Sequence, residues 1–409
     1  MDIKERLQRA GLLGDEEGGQ DREAPRKKEA TLNSLIDGHW MQIPQGRCFV
    51  VEQNYSLEKW HGSQQLLHAL SISGDTWTPF IIGARDDRFD LKKALFIDTE
   101  TTGLGRGGGT YVFLVGLGFF QEDRFHLLQY FMPDYGEEGA LLHLLADHLA
   151  GHHGLVSFNG RSFDWPLLRT RYILSQGELA FDDTPHLDLL LLARRLWRYA
   201  LPSCALSYLE NTVLDVERQG MDVPGYEIPQ IYTDYVEWGA TKRLANVFYH
   251  NRIDVLSMVA LASRIGTTLE APFGRDDDPY CDFLALGRAY EAVQETERAI
   301  RAYQRARQEG GQETREAACK HLSFLLKRLG RHEKAAQIWR ELLDGNKVYP
   351  YIELAKQLEH RERDYAGAKY MTLEAMACAN PKDRELLEAL EHRLERLQRR
   401  LNKTAKDER

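Results

Sequence analysis

Long apolar runs are missing from this 409-residue chain. Nowhere do about 18 or more apolar residues follow one another, so no membrane-spanning helix is expected. The N-terminus, M-D-I-K-E-R-L-Q-R-A, lacks the apolar core of a secretory signal. Cysteine is scarce and scattered, at Cys48, Cys204, Cys281, Cys319 and Cys378. No two of these form a C-x-x-C pair, which argues against a cysteine zinc site and for reduced thiols in a cytoplasmic protein. A positive balance is also missing: the formal net charge is −9. From Cys281 onwards 26 basic residues face 22 acidic ones, whereas the remainder carries 27 against 40. An acidic body does not suit wholesale phosphate binding. It does suit a site where bound cations offset part of the charge. What is present is ordinary for a soluble globular protein, 43% hydrophobic and 28% charged, and long enough for two or three domains.

Residues 1–30 are charged and glycine-containing and are expected to form a short helix and a mobile tail. Residues 31–90 hold aromatics, turn signals and one strand-like run, R-C-F-V-V-E-Q, and are expected to pack as an elaboration on the next domain. That domain is expected over 91–268. It opens with three strand-like runs, A-L-F-I, T-Y-V-F-L-V-G-L-G-F-F and F-H-L-L-Q-Y-F-M, with a turn at Glu122-Asp123-Arg124. A helix is predicted from Glu137 to Ala150, with Gly151 as its stop. A short strand ends at Asn159, and a helix opens at Asp164 with Pro166 in its first turn. Further helices are predicted near 187–199, 203–213 and 240–268. Three strands followed by alternating helix and strand imply an α/β domain, a mixed sheet flanked by helices. A linker is placed at 269–280, around Asp276-Asp277-Asp278-Pro279. The all-helical remainder, 281–409, carries Phe283-x2-Leu286-Gly287-x2-Tyr290 and Ala299-x3-Tyr303-x2-Ala306, a tetratricopeptide-type pattern. Ala299, Ala335 and Ala368 recur at spacings of 36 and 33. The charged, amphipathic stretch from Asp383 to Leu401 fits a capping helix.

The stretch L-F-I-D-T-E-T-T-G-L-G, from Leu95 to Gly105, organises the rest. A buried apolar run ends at Asp98, and Glu100 follows two residues on. In an extended chain both carboxylates leave on the same face. Paired carboxylates repel, and a divalent cation with oxygen ligands is the usual reason to pair them. Two more acids sit between hydrophobes: Asp164 between Phe163 and Trp165, and Asp254 between Ile253 and Val255. Each needs a metal or another partner. For Asp164 the alternative is a helix N-cap; for Asp254 it is an ion pair with Arg252 or Arg243.

The order of these acids resembles the DEDD 3′–5′ exonucleases of the ribonuclease H-like fold, over roughly residues 91–265. F-I-D-T-E-T-T-G-L resembles their first motif and S-F-N-G-R-S-F-D their second, while Asp188 in P-H-L-D-L lies where a further, non-ligating Asp often stands. The glycine-rich run after the first motif, the N-terminal elaboration and the C-terminal repeats resemble the YprB-like subgroup, exonucleases related to the mitomycin repair exonuclease. The resemblance implies two divalent cations, Mg²⁺ or Mn²⁺, about 3.5–4 Å apart, held by Asp98, Glu100, Asp164 and Asp254. It also implies a general base just before the last Asp, a His at minus five or a Tyr at minus four. This chain departs from that pattern, with Tyr249 at minus five and His250 at minus four. His250 stands one helical turn from Asp254 and is favoured; Tyr249 is the rival.

The Gly103–Gly109 loop lacks the G-K-[ST] ending of a nucleotide-binding loop and is expected to let a terminal sugar approach the backbone. Thr101 and Leu104 would border the 3′ nucleotide, and Asn159 would bond the substrate backbone or fix its own turn. His152 and His153 are expected as exposed loop residues without a ligand role, and Trp165 as core. The expected activity is hydrolysis of nucleic acid, DNA favoured over RNA, in DNA repair. A protein partner is expected on the repeats, for which the resemblance suggests a repair helicase. An inactive adaptor built on the same fold, or an RNA exonuclease, is the alternative.

Overall fold

The apolar runs become strands of one sheet in the computed structural model, which describes residues 31–81, 88–103, 105, 108–176, 184–220, 222–274, 281–343 and 347–407. The expected N-terminal tail, Leu104 and the Asp276–Pro279 part of the linker lie outside them. The chain divides into two compact units, Met1–Arg194 with Ser203–Asp277, and Arg195–Pro202 with Asp278–Arg409.

The first unit is built on a seven-stranded mixed sheet. Its order is β1 (His39–Ile43), β2 (Gly46–Ser56), β7 (Arg124–Phe131), β6 (Val112–Gln121), β5 (Ala94–Thr101), β8 (Gly154–Ser157) and β9 (His186–Asp188). A separate small hairpin pairs β3 (Trp60–His61) with β4 (Gln64–Gln65). Neighbours from β1 to β5 in the main sheet are antiparallel, and β8 and β9 continue it in parallel. The R-C-F-V-V-E-Q run falls inside β2, so part of the expected elaboration extends the same sheet. Gln121 pairs with Arg124, which makes Glu122-Asp123 a two-residue hairpin turn, and Glu122 takes φ 52° to close it.

Among the described residues five helices of nine residues or more accompany the sheet: α1 (Glu138–Gly151), α2 (Asp164–Gln176), α3 (Leu189–Trp197), α4 (Ile228–Trp238) and α5 (Leu244–Glu270). Three differences from the sequence expectation stand out. The predicted helix near 187–199 begins as strand β9. The predicted helix near 203–213 is only Leu206–Leu209 followed by a π turn over Glu210–Leu214. Helix α4 was not expected, although Ile228, Ile231, Tyr232 and Tyr235 recur at helical spacing and are all buried. Gly239, at φ 70°, ends it in the usual left-handed cap. Helix α5 runs to Glu270, so the first residues assigned to the linker are still helical.

Two glycines let α5 press onto the sheet. A Cβ on Gly118 would lie 2.7 Å from Val255 Cγ1 and closer still to the Phe125 ring. A Cβ on Gly116 would lie 2.8 Å from Asn251 Cγ. Without these two side chains β6 offers the groove that α5 fills.

The second unit is all helical, as expected. Among the described residues it pairs α6 (Phe283–Ala292) with α7 (Thr296–Glu309), α8 (Gln312–Arg328) with α9 (His332–Glu341), and α10 (Val348–Gln357) with α11 (Tyr365–Cys378). Helix α12 (Arg384–Asp407) follows. Ala299, Ala335 and Ala368 lie in the second helix of each pair and are fully buried. Gly287 in α6 faces the Tyr303 ring of α7 so closely that a Cβ would overlap it. Among the described residues no helix is long and apolar enough to cross a membrane.

Candidate active site

Strand β5 delivers the first two acids. Its alternation puts Thr99 on one face and Asp98 and Glu100 on the other, and the ladder to β6 shifts register just after Glu100. Both carboxyls are only partly accessible. Burial holds each well above the usual carboxylate range, and the neighbouring acids push the same way: Asp254, Glu100 and Asp164 on Asp98, and Asp254 and Asp164 on Glu100.

Asp98 is held by a rung across three strands. Asp98 pairs with Gly116, and Gly116 with Gln129. Gly116 leaves the gap into which the fully buried Asn251 of α5 descends. Asn251 Nδ2 donates to Asp98 Oδ2 at 2.8 Å. Gln129 Nε2 donates to Asn251 Oδ1 at 2.8 Å and to Phe248 O at 2.9 Å. The amide of Asn251 is therefore fixed at both ends, and through it one oxygen of Asp98. Sequence reading missed Asn251 and Gln129. The available signals were a Gln inside an apolar strand and a glycine in mid-strand opposite it.

Asp164 opens α2, 8% exposed, and accepts a short bond from Thr99 Oγ1. Burial pushes its carboxyl up to about 6, against the opposing pull of that bond. The approach to Asp164 is shaped by Asp188 at the end of β9. Its carboxylate accepts from the backbone N–H of Asn159 at 2.9 Å, Arg161 at 3.3 Å and Leu190 at 3.1 Å. Asn159 takes φ 66° in this turn and is exposed. The structural role considered for Asn159, fixing the turn before Asp164, is thus one its backbone fills.

Helix α5 supplies Asp254 and, one turn earlier, His250. Their side chains share a face, with His250 Nε2 3.7 Å from Asp254 Oδ2. Asp222 Oδ1 lies 2.8 Å from His250 Nδ1. Arg218 Nη1 lies 3.1 Å from the same nitrogen, so Nδ1 faces both an acceptor and a donor. Tyr249 points elsewhere: its hydroxyl accepts from the Gln219 backbone N–H at 2.9 Å, and its ring lies under Arg252. His250, Asp254, Arg218 and Asp222 line one cleft of about 460 Å³, while Tyr249 lines a different one.

The partner of Asp254 is neither arginine expected from the sequence. Arg243 pairs with Glu227, and Arg252 faces Tyr249 and Gln53. Arg218 takes the place instead, donating from Nη2 to Asp254 Oδ1. The same guanidinium grips Glu210 twice, at 2.6 and 2.8 Å, and Asp222 at 3.2 Å. Burial opposes its charge, but Glu210, Asp254 and Asp222 together raise its pKa above the ordinary value. Glu210 is fully buried.

Asp98, Asp164 and Asp254 thus each have one oxygen engaged, by Asn251, Thr99 and Arg218 respectively. Among the described residues no three carboxylate, imidazole or thiol groups form a ready-made ion cage. The donor chemistry nonetheless fits a hard divalent cation: oxygen ligands crowded together, mutually repelling and short of internal positive charge. Thr101 follows Glu100 at the end of β5. Thr101 Oγ1 donates to Gly103 O at 2.8 Å, and Arg171 Nη1 donates to Gly108 O at 2.6 Å. Cβ positions at Gly103 and Gly109 meet open space, so internal packing does not demand glycine there. His153 is exposed, but His152 caps α1 through a 2.7 Å contact of Nδ1 with His148 O. Trp165 is half-buried against the core.

Residues 95–265 match the sequence profile of the RNase_H superfamily, which is the class of domain that the sheet and the acid-lined strand end define. Superfamily membership suggests nuclease activity, and nucleases of this kind generally use divalent metal ions. The chain is 30% identical over 364 residues to the "Uncharacterized protein YprB" of Bacillus subtilis (strain 168), covering 85% of this chain and 86% of that protein. It belongs to the YprB family.

Proposed function

We propose that the chain is a metal-dependent 3′–5′ exonuclease that hydrolyses phosphodiester bonds of nucleic acid, with DNA the favoured substrate and repair the setting. What supports this reading is that Asp98 and Glu100 on β5 feel the charges of Asp164 and Asp254, with His250 beside Asp254. The four acids would hold two divalent cations, Mg²⁺ or Mn²⁺, which when bound activate water and stabilise the leaving oxygen. In the tautomer that donates Nδ1–H to Asp222, His250 would accept the proton of that water at Nε2. Asn251 orients Asp98 as the second partner of a ligand does. Thr101 and Asn159 would border the 3′ nucleotide, and Leu104, expected there too, lies outside the described residues. The tetratricopeptide-type helical pairs of the second unit offer a surface for a protein partner, a repair helicase being the resemblance's suggestion. One observation favours a second reading, that of an inactive adaptor: Arg218 already occupies Asp254.

A time course on end-labelled single- and double-stranded DNA and RNA, with and without EDTA, separates these. Stepwise shortening from the 3′ end that EDTA stops, and that Asp98→Ala abolishes, is the expected result. Intact strands under all conditions would leave the adaptor; full activity in Asp98→Ala would defeat the site.

A further inference from the structure

Arg218 lines the same cleft as His250 and Asp254, and the nuclease reading gives it no role. Its side chain is 12% exposed and its four carboxylate contacts reach three different acids. Two of these acids serve no other stated purpose than to hold it: Glu210, whose side chain is 1% exposed, and the far oxygen of Asp222. The third contact is to Asp254. A guanidinium is planar and forked, so one fork can seat on Glu210 through Nε and Nη2 while Nη2 also reaches Asp254. Glu210 makes two of the bonds, so releasing Asp254 does not require Arg218 to leave its seat.

We propose that Arg218 is a tethered cation that neutralises Asp254 in the ion-free protein and competes with the divalent cation for that carboxylate, thereby setting ion affinity. The inference rests on the nuclease reading, because it takes Asp254 as an ion ligand. Its physical basis is the buried crowding of acids: without an ion, Asp98, Glu100, Asp164 and Asp254 repel, and a fixed positive charge on Asp254 lowers that repulsion. An incoming ion must break the Arg218–Asp254 bond before it gains Asp254. Arg218 is here a positioning residue, acting through Asp254.

The test is Mn²⁺ binding by titration calorimetry on the full-length chain, with no turnover involved. Arg218→Lys keeps the charge but loses the two-nitrogen fork that seats on Glu210, so the ammonium is no longer fixed against Asp254. The paired substitution Arg218→Met with Glu210→Gln removes one charge of each sign, so Glu210 is not left as a buried unpaired ion while Asp254 loses its cation. Both conserve net charge, so a general field effect predicts no change. Competition predicts Mn²⁺ binding about tenfold tighter in each, the worth of one charged hydrogen bond. Competition also predicts a lower melting temperature in EDTA for Arg218→Lys. Unchanged or weaker Mn²⁺ binding in whichever variants fold overturns the proposal while leaving the ion site standing. Asp98→Asn is the control for the site itself. If neither the wild type nor the variants bind Mn²⁺, the nuclease reading fails and the proposal with it.

Discussion

Adding a single methyl group at Gly116 should disturb the candidate site from the neighbouring strand. The Cβ of an alanine there would sit 2.8 Å from Asn251 Cγ and 2.9 Å from its Nδ2, and closer still to Oδ1. All three lie inside van der Waals contact, so the Asn251 amide must move by the better part of an ångström. It cannot do so by simple rotation, because Gln129 holds one end and Asp98 the other. The methyl therefore costs overpacking strain of about 1–3 kcal/mol. It also weakens a buried, charge-assisted bond, worth about 1.5–3 kcal/mol when lost altogether. The two effects overlap, because one displacement relieves the strain by breaking the bond, so we expect a net loss of about 2–3 kcal/mol. For a domain of this size that lowers the melting temperature by about 4–10 °C.

The decisive assay is a double-mutant cycle in urea, in the presence of EDTA. In an Asn251→Ala background the obstructing amide is gone, and Gly116→Ala should become nearly neutral. The coupling between the two positions should then be about 2 kcal/mol, within the range seen for residues in contact. If Gly116→Ala costs the same in both backgrounds, the rung from Asp98 through Gly116 to Gln129 is not what seats Asn251, and the account of how Asp98 is oriented is wrong.

Three further outcomes are expected. The Asp164 carboxyl is pushed from 3.8 up to about 6 on folding, so its contribution to stability is fully present below about pH 4 and lost as pH rises through 6. Asp164→Asn should accordingly gain stability over the ion-free wild type at pH 7.5, by at most about 3 kcal/mol, and little at pH 4; denaturation in EDTA at both pH values checks this. Arg171→Met strips the buried Glu138 of its paired bonds at 2.5 Å and should cost about 3–5 kcal/mol in urea melts, with much of the loss recovered by adding Glu138→Leu. His250→Ala should slow hydrolysis by about 10²–10⁴-fold whereas Tyr249→Phe should leave it within a few-fold; the opposite ranking in a single-turnover assay would return the base role to Tyr249.

What the sequence made legible was whatever obeys a local rule. The alternation of β5 announced that Asp98 and Glu100 share a face, and the i, i+4 spacing announced that His250 and Asp254 do too. The mixed sheet and the all-helical C-terminal unit followed from apolar periodicity in the same way. Helix α4 was missed although its spacing was equally regular and the first helical turn tolerates Pro229.

Arg218, Glu210 and Asp222 were beyond reach for a different reason. They come from a stretch between Glu210 and Asp222 that is a π turn and then irregular chain, with no period to project onto a face. Guessing a partner for Asp254 from sequence neighbours offered Arg252 or Arg243. Two residues along a helix is a rotation of about 200°, however, which aims Arg252 at the opposite side. Proximity in sequence therefore argued against contact, and an arginine 36 residues upstream made it. The acids of the candidate site advertise themselves because each sits at the end or on the face of a regular element. The cation that balances them is carried by irregular chain, where only the buried demand of Glu210 and Asp254 for a counter-charge determines where it goes.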